Sequence, residues 1–395
     1  MAKKVALLVG VGNYEHPTDI KPLISAPKDV VAMQRILLNP DMGGFAEAVP
    51  LIDPDPMQLQ GAIESLYRDR TKDDLVLLFF SGHGIKDERG NLHFATRITQ
   101  KTPKGELIRS TAVPARFVQE MMADCRSRRQ VVILDCCFSR AFGADLPKDD
   151  GAVDLRTQLG AEGRVVLASS SSAHYSFEQS GAELSIYTRY LVEGIETGAA
   201  DLDNDGQVSV RELHDYATRK VQEAAPAMNP KIIVLKDAGF DIVFANAQVA
   251  DPKLKYRKKA EGYFIEGKIS PARRSMLDAL RDRLGLSKPE AAEIEDLVLQ
   301  PFRQRLQNLQ HYQEAFTAEL EQEYPLTQET LQVLQDLQKI LGLREEDIAP
   351  VQQKALQQFT QRSTAKQNPQ PSTVQQAFPV QTNPPDALTQ LKRSV

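Results

Sequence analysis

Continuous apolar runs recur along the first two thirds of the chain, each bounded by polar clusters. Val5–Val11, Leu75–Phe80, Val131–Leu134 and Arg164–Ala168 read as strands buried on both faces, because neither face alternates with polar residues. Ala48–Ile52 is a further strand candidate, and Ile232–Leu235 closes the series. Between them lie segments with apolar residues at helical spacing. Asp29–Leu38 is stopped by Asn39-Pro40, and Asp55–Arg68 carries Leu59, Ile63 and Leu66 on one face. Pro114–Cys125 opens with a first-turn proline. Tyr187–Ile195 and Ser209–Ala224 complete the set, while Asn91–Ala95 with Thr102–Ser110 suggests a small hairpin and Leu146–Gly163 a polar loop. A β-α-β-α-β rhythm predicts an α/β fold, a mostly parallel sheet flanked by helices and joined by right-handed crossovers.

The pattern changes after this unit. Residues 1–246 are expected to form the α/β domain and 247–261, charged and containing Pro252, a linker. An all-α domain is expected over 262–361. Within it Ser270–Ile294 repeats loosely as Thr327–Val351, with Leu277, Leu280 and Leu284-Gly285-Leu286 answered by Leu334, Leu337 and Leu341-Gly342-Leu343. Each copy starts at a Ser or Thr cap and stops at a glycine. Ser287 and Glu290 form a capping box before a long helix. Two related helical hairpins follow, suited either to docking a protein partner or to stabilising the chain. The tail, 362–395, is rich in Gln, Pro, Ser and Thr and predicts disorder.

Composition narrows the function classes. A net charge of −5 over 395 residues offers no electrostatic case for nucleic acid or an anionic membrane. No stretch has the length and apolarity to span a bilayer. The amino terminus lacks a small-residue cleavage site after its short apolar run, so it reads as a strand rather than a signal peptide. Three cysteines, two of them adjacent, make no disulfide framework and suit a reducing compartment, so a cytoplasmic location is expected. Gly10-Val11-Gly12 follows the first strand, but Glu15 occupies the third glycine's place, which argues against a dinucleotide loop.

Chemistry gathers where two apolar runs stop. One ends in Ser81-Gly82-His83-Gly84, the other in Asp135-Cys136-Cys137-Phe138-Ser139. Carboxyl ends of parallel strands are where open α/β sheets place their ligands. A buried Cys is commonly a core residue, and a lone loop His is commonly a satisfied polar group. The two at the ends of neighbouring strands would instead form a thiolate–imidazole pair, the arrangement of a nucleophilic cysteine hydrolase. SGHG and DCCFS resemble the caspase-like cysteine peptidases, closest to the orthocaspase and metacaspase branches, whose second motif reads D-x-C-x-S-G. The resemblance implies Cys137 as nucleophile and His83 as general acid/base, working as a dyad, and backbone amides near Gly84 and Cys137 as the oxyanion site. Arg140 replaces the motif's glycine, and a catalytically impaired homologue serving as an interaction scaffold is the alternative reading.

The same resemblance implies a specificity pocket. Leu23 and Asp29 match the metacaspase pattern L-x-G-C-x-N-D, with Ala26 and Lys28 departing from it, and Ser81 matches a further pocket position. With Asp135, these residues predict an acidic site that takes a guanidinium, hence cleavage of protein or peptide substrates after Arg and less well after Lys. The competing readings are a helix-terminal charge for Asp29 and an acceptor of backbone amides for Asp135. Self-cleavage is expected in the polar loop, with Lys148, Arg156 and Arg164 as candidates. No cofactor is needed for this chemistry. Separately, Asp201, Asp203, Asp205, Gly206, Gln207, Ser209 and Glu212 match D-x-[DN]-x-[DN]-G-x5-E, the twelve-residue calcium loop; a Ca2+ site and a polar turn are the two readings.

Overall fold

The computed structural model describes residues 2–16, 20–137, 164–170, 183–234, 242–247 and 251–367, and at Cys137, Arg164, Ser170, Val234 and 362–367 the backbone alone. In chain order the first elements are β1 (Lys4–Gly10), α1 (Ser25–Leu38), β2 (Glu47–Ile52), α2 (Pro56–Tyr67) and β3 (Leu75–Ser81). Then come β4 (Gly84–Lys86), β5 (Leu92–Ala95), β6 (Ala112–Pro114), α3 (Ala115–Asp124), β7 (Arg129–Cys137) and β8 (Arg164–Ser170). They are followed by α4 (Ile186–Glu196), β9 (Gln207–Ser209), α5 (Val210–Ala224), β10 (Lys231–Val234) and β11 (Val243–Asn246). The remainder is helical: α6 (Pro252–Tyr263), α7 (Pro271–Leu284), α8 (Lys288–Gln322), α9 (Gln328–Ile340) and α10 (Glu345–Gln367).

Six strands form the central sheet in the order β10-β8-β7-β3-β1-β2. All pair in parallel except β10, which runs antiparallel to β8. Every residue of β3 is buried. The reason is two-sided covering: Leu75, Leu77 and Phe79 enter one core with α1, α4 and α5, while Val76, Leu78 and Phe80 enter the other with α2 and α3. This is why the strand runs in the sequence do not alternate. Gly10 and Gly12 let α1 lie against β1: a Cβ at Gly10 would stand 2.7 Å from the Ala26 carbonyl oxygen, and one at Gly12 2.6 Å from that of Leu23. The glycine pair therefore serves helix–strand packing.

Two expectations change. The small hairpin is a three-stranded antiparallel sheet, β4-β5-β6, with Lys101 and Leu107 joined only by an isolated bridge. The stretch expected as a linker contains α6, capped by Asp251. Its Arg257 is 3 % exposed: Nη2 donates to Glu193, to the Tyr216 hydroxyl at 2.9 Å, and Nε to Glu261 at 3.2 Å. The charge of Arg257 thus marks partners on α4 and α5 rather than solvent, while Lys253, Lys255 and Lys259 of the same segment are exposed.

The helical repeat is visible in three dimensions. Ser270 and Thr327 cap α7 and α9, Leu277 and Leu334 are buried, and Gly285 and Gly342 take left-handed φ values of 69° and 63°. The copies differ in what they cover. The first packs on α6 through Tyr256, Ala260 and Phe264. The second joins the core beneath α5, where Leu334, Leu341 and Ile348 meet Tyr312 and Phe316 of α8. Arg344 Nε also donates to the Pro226 carbonyl at 3.0 Å. The helical region thus shares a core with the α/β unit. Helix α10 runs on to Gln367; residues 368–395 and the loop Leu146–Gly163 lie outside the described residues. Among the described residues no helix is long and apolar enough to cross a membrane.

Candidate active site

Strand register brings the two motifs to one edge. Ser81 of β3 pairs with Asp135 of β7, and Gly82 N donates to the Asp135 carbonyl at 3.3 Å. His83 lies two residues beyond Ser81, in the turn that leaves β3, and Cys137 two residues beyond Asp135, at the end of the adjacent parallel strand β7. A register irregularity between Leu134 and Cys137 precedes the pairing of Cys137 with Ser170 on β8. The Cys137 side chain, Arg140, Lys148 and Arg156 lie outside the described residues; Arg164 opens β8, paired with Gln130. Cys136 is fully buried in the apolar core beside Leu134 and Tyr14. Gly84 is buried at the start of β4, opposite Phe94.

His83 is held from two directions. Its Nε2 lies 2.9 Å from the Lys21 carbonyl oxygen. A carbonyl only accepts, so Nε2 carries the proton and Nδ1 keeps its lone pair. The His83 backbone N–H donates to the Tyr14 hydroxyl at 3.3 Å, and the two rings lie 5.3 Å apart. That hydroxyl donates in turn to the Val11 carbonyl at 3.0 Å. Burial lowers the His83 pKa, with the charge of Lys101 acting the same way and the Lys21 bond opposing it. The imidazole is thereby kept neutral, as a base must be. Asp53 braces the loop that carries Tyr14 and Lys21: Oδ1 accepts from Gly12 N at 2.8 Å and Asn13 N at 3.0 Å, and Oδ2 from Asn13 Nδ2 at 2.7 Å.

Beside this edge the structure brings Asp29, Ser81 and Asp135 together. Asp29, on α1, is fully buried. Its Oδ2 accepts from Ser81 Oγ at 2.8 Å and its Oδ1 from Ser185 N at 2.9 Å. Asp135 Oδ2 accepts from Ser185 Oγ, from Thr188 Oγ1 at 2.5 Å and from Thr188 N at 3.1 Å. Ser185 stands at the cap position of α4 yet caps nothing with its side chain. Its hydroxyl goes to Asp135, and Asp135 takes the amide of Thr188 that a local cap would have satisfied. Desolvation, then the charge of Asp135, raises the Asp29 pKa well above the carboxylate range. Sequence reasoning missed Ser185 and Thr188. The available signal was a Ser three residues before a Thr at a helix start, and nothing local links it to an aspartate 50 residues away.

The Asp-rich loop places carboxylate oxygens of Asp201, Asp203 and Asp205 within 4.8 Å of one another. Asn204 and Gly206 take left-handed backbone, φ 67° and 89°. Gln207 and Ser209 bound β9, which pairs with β11. Glu212 closes the loop from α5: Oε1 accepts from Leu202 N at 2.9 Å, and Oε2 from Ser209 N at 2.9 Å and Ser209 Oγ at 2.7 Å. Burial would raise its pKa, but these bonds outweigh it and the net shift is downward. Lys258 Nζ donates to the Asp201 carbonyl at 2.5 Å and to Asn204 Oδ1 at 2.6 Å, so α6 presents a cation to the loop. Oxygen donors at this spacing suit a hard divalent ion.

No well-characterised protein sequence matches the chain significantly. Among solved structures, protein GSU0716 from Geobacter sulfurreducens is similar at 18 % identity and a TM-score of 0.40, over 60 % of this chain and 96 % of that one. So distant a likeness carries no argument. The caspase domain of the peptidase C14 family matches residues 3–249, which span the whole sheet, both motif strands and the buried aspartates. The chain belongs to the caspase-domain family of cysteine peptidases.

Proposed function

We propose that the protein is a cysteine endopeptidase that hydrolyses peptide bonds after Arg, and less well after Lys. The Cys137 thiolate attacks the peptide carbonyl, and amides near Gly84 and Cys137 hold the oxyanion. His83 takes the thiol proton on Nδ1 and delivers it to the leaving amine; water then releases the acyl group. The Lys21 carbonyl does the orienting that a third side chain does in triads. Asp29 and Asp135 receive the guanidinium; its charge offsets the burial and the repulsion from Asp135 that raise the Asp29 pKa, and its planar fork then matches two carboxylates. The observation that carries this reading is the register of β3 against β7, which sets His83, Cys137 and Asp135 on one edge. Peptides bearing a chromophore after Arg, Lys or Asp test it, with Cys137→Ala as control. Turnover of the Arg peptide above the Lys peptide, none of the Asp peptide and none by Cys137→Ala is expected. Equal turnover of all three peptides, or none of any, refutes it.

Self-processing is part of the same proposal. Lys148 and Arg156 are its candidate positions in the polar loop; Arg164 is a third, though a cut there would interrupt a paired strand. Identical fragments from wild type and Cys137→Ala on a gel would exclude it. For the Asp-rich loop the proposal is Ca2+ held by Asp201, Asp203, Asp205, the Gln207 carbonyl and Glu212, with Ser209 beside it. What supports it is the full motif and the convergence of three carboxylates. Heat on titrating Ca2+ into wild type but not into Asp203→Ala is the expected result, and no heat in either shows a polar turn.

A further inference from the structure

A cleft lies where the carboxyl ends of α1 and α4 meet α6 and the first turns of α8. Its volume is about 310 Å³, roughly ten water volumes at about 30 Å³ each. The base is apolar: Ile195, Leu254 and Ile294 are buried, and Met42 is half-buried. Leu297 stands on the rim, 40 % exposed.

The charged lining is lopsided. Asp41, Glu196, Asp251, Glu290 and Glu293 face only Lys253 and Arg257. Arg257 is taken up by Glu193 and Glu261. Lys253 pairs with Glu290 at 3.1 Å, and Glu196 is held by Arg35. Asp41, Asp251 and Glu293 then have no ion-pair partner among the described residues, and Asp41 and Glu293 are exposed on the rim. Lys253 also lies within the field of Asp251 and Glu293, and Asp251 caps α6 by accepting from Lys253 N at 2.8 Å, so the lining keeps a surplus of negative charge, borne at the rim by Asp41 and Glu293. An apolar floor with a net acidic rim favours an occupant with aliphatic side chains pointing in and cations on either flank. It repels an acidic one.

We propose that this cleft docks a segment of a partner protein in which one or two aliphatic side chains are flanked by Lys or Arg. The cleft has room for such side chains and not for a folded element. Its place leaves the peptidase edge clear. Helix α4 begins at the Asp135 clamp and ends at the cleft 11 residues later, a separation of about 16 Å at about 1.5 Å per residue. A bound segment would therefore occupy the opposite edge of the sheet from His83, and the inference stands or falls independently of the catalytic reading.

The test is fluorescence anisotropy on the full chain with two labelled peptides, one alternating Leu with Lys and one alternating Leu with Glu. The expected result is saturable binding of the Leu/Lys peptide alone, weakened at least tenfold by the double variant Asp41→Lys, Glu293→Lys. Both positions are exposed, and unchanged circular dichroism confirms that the variant folds. Absence of binding to wild type overturns the proposal. So does equal binding to the variant, which would mean attraction to the net negative charge at large. Self-association in sedimentation that Leu297→Glu abolishes would assign the cleft to a second copy of the chain and overturn it as well.

Discussion

Replacing Arg257 by Met isolates the contact that ties α6 to the α/β unit. The guanidinium is 3 % exposed and bridges Glu193, Glu261 and the Tyr216 hydroxyl. Burial alone would lower its pKa, but the surrounding Tyr216, Glu193 and Glu261 raise it, so it stays charged. Methionine keeps much of the aliphatic stem and removes the charge. Removing one partner of a buried pair costs about 3–5 kcal/mol, because the other charge is left buried. Here the lower end applies. Glu193 still accepts from the Tyr216 hydroxyl at 2.7 Å, and Glu261 keeps Lys220 at 3.2 Å. A loss of about 3 kcal/mol corresponds to roughly a 150-fold shift in the equilibrium between docked and released α6. If the chain unfolds as one unit, that is a fall of roughly 4 °C in Tm, at about 1.2 °C per kcal/mol for a chain of this size. Urea denaturation followed by far-UV circular dichroism reads the global change. Hydrogen exchange along Pro252–Tyr263 reads the local one. A cycle with Glu193→Gln should return a coupling of about 2 kcal/mol. A variant that melts with the parent, or a cycle with no coupling, would show that the helical region is attached by its apolar contacts alone.

Three further outcomes are expected. His214 is buried with its nitrogens on the Tyr187 and Thr218 hydroxyls, and burial lowers its pKa to about 4. Its depressed value means the associated stability is present above about pH 6.5 and is lost as pH falls toward 4. That amounts to about 3 kcal/mol at about 1.36 kcal/mol per pH unit, and His214→Gln should flatten the acid limb of the stability curve. Gly10→Ala should cost about 1–3 kcal/mol in denaturation, since the new methyl meets the Ala26 carbonyl at 2.7 Å; an unchanged midpoint would mean that α1 moves freely off β1. Thr188→Val removes the hydroxyl bond to Asp135 while the backbone bond stays. At about 1.5–3 kcal/mol for a bond to a charged group, KM for the Arg peptide should rise at least tenfold with kcat little changed; an unmoved KM would take Asp135 out of the pocket.

Some of this protein was legible without coordinates. The central strands were, because burial on both faces writes itself as unbroken apolar runs such as Leu75–Phe80. So were the helix starts at Asp55, Ser209 and Ser287, since a capping box joins residues only three apart. The helical repeat was readable for the same reason: its caps, its buried leucine and its terminal glycine are local signals. Other features joined residues far apart in the chain. Ser185 reaches Asp29 across 156 positions, and Arg257 reaches Glu193 across 64. A lone Ser before a helix and a basic residue in a charged stretch look the same in sequence whether they face water or a buried carboxylate. Folding decides between these by desolvating both partners at once, and that depends on which elements pack together, not on the neighbours along the chain.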